Sequence, residues 1–330
     1  MIPNVAIYRL SVTTLAIAAA AALLVPAAFA GTITVNDDGD TVEPNTCTLR
    51  AAMQSAFQEF DAGGCTGTTV SPNIIEFSAS FTIIVGNVLP NVVNDVMVDG
   101  AGQAIVIDGD GADTPFVVAS GGHLTLSNLA IQDFSGIGSG GAVRVNSSDG
   151  ALTAVNVTFS DNSASQGGAI SSSGRLVLTN VNFLNNSAST GTQEGGAIHF
   201  AGSAASMTIT DATFTNNSAA ARGGAIAVTS LGNPLSPAPD PMDPDERFVL
   251  ITNAVFSLNS ADGDGAQEGG GAIFVITDDE ALFGIVNSEF LGNSADGGGG
   301  GAILLTLGSR MAYVDPNTPS LGGIFCQSLL

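Results

Sequence analysis

Lysine is absent from the chain, and seven arginines are its only permanent side-chain cations. Against 30 Asp and Glu they leave a net charge of −23 over 330 residues. A surface of that sign repels phosphate backbones and anionic lipid, which excludes nucleic-acid binding and polybasic membrane docking. Tryptophan is also absent and tyrosine occurs only twice. Charged residues are scarce too, at 11%, while 45% of the chain is apolar and 42 residues are glycine. Disorder pairs high charge with low hydrophobicity, so this composition excludes it. So many glycines suit short strands and turns instead.

The one long apolar run lies at the start. Arg9 gives a positive beginning, Leu10 to Val25 is apolar, and Ala28-Phe29-Ala30 fits an A-x-A cleavage site. Residues 1–30 therefore read as a secretory signal peptide cut before Gly31. The other reading, an anchoring helix, falls short of the ~20 apolar residues a span needs, and no span is expected in the mature chain. Export places the three cysteines in an oxidising compartment. Cys47 and Cys65 are 18 positions apart and can pair, provided the helix between them is short or the following loop doubles back. Cys326 is left over, either a buried small hydrophobe or a sign that something lies downstream.

Self-similarity organises the rest. Phe-x-x-Asn-Ser-Ala occurs five times, starting at Phe159, Phe183, Phe214, Phe256 and Phe290. Three residues before each Phe stands Asn156, Asn180, Asp211, Asn253 or Asn287, and a degenerate sixth copy puts Ile131 in the Phe slot. Between copies lies Gly-Gly-Ala-Ile, ending at Ile170, Ile198, Ile226, Ile273 and Ile303, preceded by Gly-Gly-Ala-Val at Val143. The tetrad alanines recur at intervals of 27, 28, 28, 47 and 30 residues. That period is too short for an independent domain and right for one coil of a solenoid. Apolar residues alternate after the tetrad and before each Phe, as in Leu176-Val177-Leu178, and no copy shows an i, i+3, i+4, i+7 stripe. Helical repeats are excluded. The chain reads as an all-β parallel β-helix.

On that fold the motif residues have structural tasks. Phe159, Phe183, Phe214, Phe256 and Phe290 should stack as an interior column. Asn162, Asn186, Asn217, Asn259 and Asn293 should occupy a corner, adopting left-handed dihedrals and bonding to their counterparts above and below. The glycine pair allows a sharp bend against the next coil. Alternating Gly-Gly-Ala-Ile and Phe-x-x-Asn elements over residues 124–305 resemble the repeats of the chlamydial polymorphic outer-membrane proteins. The resemblance implies a right-handed, pectin-lyase-like parallel β-helix exposed at a bacterial surface. That family carries an autotransporter barrel, for which the 27 residues after Ile303 are too few. A released chain, retention by a partner and an incomplete gene all stay open.

Residues 31–70 read as an N-terminal cap. Ile33 to Asn36 is strand-like. Leu49, Ala52, Met53, Ala56, Phe57 and Phe60 fall on one helical face that would cover the open end of the core. Cys47-Thr48-Leu49-Arg50-Ala51-Ala52 is similar to the Cys-Ser-Leu-Arg-Glu-Ala domain of exported bacterial proteins, with Thr48 for Ser and Ala51 for Glu. The missing Glu removes a partner for Arg50, whose expected role is structural. Residues 71–330 form the β-helix, interrupted by a projecting loop at 231–247 that carries five Pro and four carboxylates.

No catalytic constellation is recognisable. A glycosidase needs carboxylates converging at ~5–9 Å, yet the second place after Phe reads Asp161, Asn185, Asn216, Leu258 and Gly292. Arg144, Arg175 and Arg222 share no phase, with Arg175 placed in a turn. His123, in a turn, and His199, on the outward face, are too few for a metal site or triad. Asp108, Asp110 and Asp113, and separately Asp262 and Asp264, could take calcium weakly, but neither group has EF-hand spacing. No other cofactor is implied. The expected role is a non-catalytic, adhesin-like scaffold, secreted or at the cell envelope, that meets an extracellular protein or glycan. The alternative is a polysaccharide lyase or glycoside hydrolase, which three or more carboxylates within reach of one sugar would favour.

Overall fold

The computed structural model describes residues 31–58, 60–66, 72–189, 193–202, 205–229, 248–263, 268–277, 282–296, 299–307, 312–314 and 324–328. Residues 1–30, expected to be a signal peptide, residues 231–247, expected to project as a loop, and Asp264 lie outside the described residues.

The chain is a parallel β-helix. Every strand pair is parallel and joins one coil to the next, so strands adjacent in space are one turn apart in sequence. Ten rungs build the long arm of the largest sheet: Gly31–Val35, Asn73–Phe77, Asp95–Asp99, His123–Gln132, Ala151–Ser160, Arg175–Thr179, Met207–Thr210, Phe248–Thr252, Leu282–Val286 and Ala312–Val314. A second arm of the same sheet carries the Phe slots. Five two-residue Ser-Ala strands form a narrow strip, from Ser163–Ala164 to Ser294–Ala295. The Gly-Gly-Ala-Ile elements lead into an eight-stranded back sheet, running from Phe116–Val118 to Ile324–Ser328. Asp95–Asp99 and Ile105–Asp108 are the two arms of a single coil, since both pair with the strand His123–Gln132.

Identical residues meet because the coils are in register. Adjacent Phe rings stack with centroids 4.7–5.2 Å apart and planes within 10°. Phe159, Phe183, Phe214 and Phe256 are fully buried, and Phe290 is 5% exposed. Burying each contributes ~1.5–3 kcal/mol, and each stacked pair adds ~0.5–1.5 kcal/mol. Ile83, Ile107 and Ile131 continue the column below Phe159. At the tetrad corner Gly167 has φ 63°, and a Cβ on Gly168 would stand 2.2 Å from the Gly196 carbonyl oxygen. Only glycine fits both places.

The asparagines divide their work differently from the sequence expectation. Left-handed φ values occur three residues before each Phe, at Asn156, Asn180, Asp211, Asn253 and Asn287. They occur again two residues after it, at Asp161, Asn185, Asn216, Leu258 and Gly292. The asparagines at the third place have no such dihedral. Asn162, Asn186, Asn217 and Asn259 are instead fully buried. Asn186 shows the pattern: its Nδ2 donates to the Phe159 carbonyl at 3.0 Å and to Asn217 Oδ1 at 3.0 Å, and its backbone N–H donates to that same oxygen. The chain turns inward after the left-handed residue, so the next side chain enters the core. An amide is suited there because it satisfies backbone groups that no strand pairs.

The strand Gly31–Val35 is already a rung of the long arm, paired in register with Asn73–Phe77. Helix α1, Leu49–Gln58, follows it. Thr48 caps it by accepting the Ala51 N–H at 3.2 Å. Leu49, Ala51, Ala52, Met53 and Ala56 are buried in the main core. Phe57 and Phe60 depart from the expected face: they are 42% and 57% exposed. The helix ends at Gln58 before Phe60 is reached, and the buried stripe is shifted toward Ala51 and Ser55. The chain then doubles back, and Cys47 and Cys65 are disulfide-bonded with Cα atoms 4.5 Å apart.

Candidate functional site

Two polar constellations stand out from the repeating frame. The first is a shallow concavity of about 530 Å³ on the second arm, lined by Asp108, Asp110, Asp133, Asp161, Ser135 and Ser163 among others. Asp133 and Asp161 hold the same left-handed corner in successive coils, which places them one rung, ~4.8 Å, apart. Asp108 lies in register with Gln132, whose Nε2 donates to Asp108 Oδ2 at 2.9 Å and to Asp133 Oδ2 at 3.1 Å. Burial, then the charges of Asp108 and Asp161, raise the Asp133 pKa above the ordinary carboxylate value. A carboxyl whose proton is held more tightly than usual beside other carboxylates is the raw material of acid–base chemistry. No Arg or His lines the concavity, so nothing there would clamp an anionic sugar.

The Asp133 position was readable in the sequence. The degenerate coil has Ile131 in the Phe slot, and its second place is Asp133, directly below Asp161. Comparing only the five intact copies hides this pair.

The second constellation lies where each coil bends into the back sheet. Gln166, Glu194 and Arg222 form one bridged column, and Arg144, Ser171 and His199 form the facing one. Arg222 Nη1 donates to Glu194 Oε1 at 2.9 Å, and its guanidinium lies 5.2 Å over the Phe274 ring. His199 Nε2 is 2.9 Å from Thr229 Oγ1, 3.4 Å from Gln166 Nε2 and 3.6 Å from Glu194 Oε2. Its Nδ1 is 3.5 Å from Ser171 Oγ. His199 does belong to an outward register, but it is only 5% exposed, because the Gly-Gly bend folds the preceding arc over it. Desolvation lowers its pKa to about 4, so the ring is neutral at physiological pH. Neutral, enclosed and bonded on both edges, it serves as a packing element.

The remaining candidates are dispersed. Asp113 turns away from Asp108 and Asp110, accepting from the Thr114 and Ile137 N–H groups at 2.8 and 3.2 Å. Asp262 stands several coils distant. Among the described residues no group of three or more His, Cys, Asp or Glu has a metal-holding arrangement. His123 and Arg175 open strands rather than sitting in turns, and His123 Nδ1 lies 2.7 Å from Asp95 Oδ1. Arg50 has the partner that the motif left unnamed. It meets both oxygens of Asp40 at 3.0 Å and donates to the Asn87 and Val88 carbonyls at 2.8 Å. This stitches α1 to the first coils.

The alternating motifs can be compared with known families on this geometry. Residues 156–173 and 211–229 each run from the left-handed Asn or Asp, through the Phe slot and inner Asn, to the Gly-Gly-Ala-Ile strand. Both stretches match the Chlamydia polymorphic membrane protein (Chlamydia_PMP) repeat. Each matched stretch thus covers the Phe arm, the Ser-Ala strip and the back-sheet strand of one coil, omitting the long-arm segment (151–155 and 207–210) and the connection that leads to it. No curated protein matches the chain. No described helix is long and apolar enough to cross a membrane.

Proposed function

We propose that this chain is an exported, non-catalytic β-helical scaffold with an adhesin-like role at a bacterial surface. Its lateral faces would meet an extracellular protein or glycan. The observation that carries this reading is the repetition itself. From Asn162 to Asn293 and from Phe159 to Phe290, the side chains repeated in phase are consumed in holding one coil to the next. What varies between coils is the outer surface, the pattern of a rod built for display. The repeat match, drawn from a membrane-protein family of Chlamydia, supports placement at the envelope.

The acidic concavity favours a second reading, a glycoside hydrolase using Asp133 as acid with Asp108 or Asp161 as its second carboxyl group. Incubation of the purified chain with neutral glycans such as xylan and chitin, alongside pectin, alginate and polysialic acid, separates the two. The scaffold reading expects no new reducing ends and no unsaturated products. Their appearance, and their loss in Asp133→Asn, would replace it with the enzyme.

A further inference from the structure

Large apolar side chains are left in solvent mainly at one end of the rod. Among the described residues ten are exposed, and six of them lie in the first coils: Val42, Phe57, Phe60, Ile84, Val88 and Val93. Hydrogen bonds gather them at the two ends of α1. The Ala56 carbonyl accepts from Asn94 Nδ2 at 2.9 Å, which brings Phe57 and Val93 to one junction. Ser55 Oγ accepts the Ala62 N–H at 3.0 Å, so the chain carrying Phe60 folds back to the same place. At the other end Asp40 Oδ2 accepts the Gly86 N–H at 3.0 Å and Arg50 donates to the Val88 carbonyl, with Val42 and Ile84 two residues away along the chain. Between the two groups lie the half-buried Arg50, Gln54 and Gln58, the glutamines bonded to each other at 3.3 Å.

Folding makes no use of these phenyl rings. Leaving a phenylalanine in water forgoes ~1.5–3 kcal/mol, and exposed apolar groups that cluster rather than scatter mark a contact surface. The charge around the patch indicates what covers it. Residues 31–100 hold nine carboxylates against Arg50 alone, and Arg50 is already bonded to Asp40. Asp61 directly follows Phe60, and Asp95 stands two residues from Val93, 2.7 Å from His123. The last turn of α1 carries no basic residue, so no charge of its own offsets the negative end of the helix dipole there.

We propose that this end of the rod docks a basic amphipathic segment of a partner protein. Apolar side chains of that segment cover Phe57, Phe60 and Val93, while its Lys and Arg meet the carboxylates and the C-terminal end of α1. A second copy of the chain does not suit, because two such ends bring like charges together. Anionic lipid is repelled for the same reason. The site is separate from the lateral faces, so its failure would leave the scaffold role standing.

The chain has no tryptophan, so one placed in a probe reports only the probe's surroundings. The test titrates the exported chain into a short synthetic amphipathic helix of leucine and lysine with a single central tryptophan, at physiological salt. Saturable binding with a blue shift of the emission is expected. Phe57→Ser together with Phe60→Ser should weaken binding about tenfold or more and remove the blue shift. Leu258→Ser, an exposed apolar position several coils away, should leave both unchanged. If the double variant fails to fold by circular dichroism, Val93→Ser alone replaces it with the same direction of loss. Equal binding by the folded double variant reduces the contact to bulk charge attraction and overturns the proposal. So does equal binding of a peptide with glutamate in place of each lysine. Self-association in sedimentation, or retention on chitin or cellulose, would overturn it too if either is lost in the double variant, by giving the patch to a second copy or to a glycan.

Discussion

Replacing Asn217 with alanine tests how the coils are joined. Asn217 Oδ1 accepts two bonds from Asn186, from its N–H and its Nδ2, both at 3.0 Å. Its own Nδ2 donates to the Phe183 carbonyl at 3.1 Å and to Asn259 Oδ1 at 3.0 Å. All three asparagines are fully buried, so water cannot replace the lost oxygen. Two donors of Asn186 are stranded at ~1–3 kcal/mol each, or ~2–6 kcal/mol together. The neighbouring Asn216 supplies the control. It is exposed, at φ 55°, and its Nδ2 reaches Asn185 Oδ1 at 2.8 Å. Asn216→Ala meets only the left-handed penalty of ~1–2 kcal/mol, and Asn216→Gly removes most of that. Urea unfolding followed by far-ultraviolet circular dichroism should rank the variants Asn217→Ala, Asn216→Ala and Asn216→Gly in decreasing loss. If Asn217→Ala costs no more than Asn216→Ala, the inner amides do not hold the coils together.

Three other outcomes are expected. Arg50→Lys should loosen the N-terminal coils nearly as much as Arg50→Ala, by ~2–3 kcal/mol, because an ammonium cannot span both Asp40 oxygens and two carbonyls; hydrogen exchange in Gly31–Val35 and α1 reads this directly. His199 has a folded pKa of about 4, below the 6.5 of an unfolded histidine, so the unfolded chain binds the extra proton. Stability should then be full above pH 6.5 and fall by up to about 3 kcal/mol as pH drops toward 4, a slope that His199→Gln should flatten in parallel melts. Asp133 has the opposite sign. Its folded pKa is raised, so ionisation near neutral pH opposes folding. Asp133→Asn should raise the melting temperature at pH 7, with the gain vanishing as acid protonates the native carboxyl; an equal gain at low pH would refute the charge explanation.

The coil was legible in the sequence because its determinants are local and repeated. The Phe slot, the Gly pair and the alternation around Leu178 each recur in phase, and a strand requires no more to find its register. The two kinds of asparagine were not separable, since an outer Asn185 and an inner Asn186 are the same residue type and adjacent. Only the backbone reversal at Asn185 decides which amide enters the core. The Arg50–Asp40 pair has no pattern behind it, being set by how the loop before α1 packs. The burial of His199 depends on an arc belonging to the same coil, whose closeness follows from the φ of 69° at Gly195 rather than from any polar residue. The acidic concavity was half legible: its loop acids were visible, whereas the Asp133–Asp161 pair required treating Ile131 as a full member of the Phe series.

The Phe214–Phe256 stack has one more consequence. These rings sit 4.7 Å apart, the same as Phe183 and Phe214, although 42 residues separate the first pair and 31 the second. Contour length between successive turns is thus decoupled from the pitch of the rod. Extra sequence spliced in after Val228, at the exit of the back sheet, leaves the pile of rings undisturbed. A chain built this way can gain or exchange whole appendages at that seam while its interior stays the same, and a foreign epitope or a folded module inserted there should ride on the rod without loosening it.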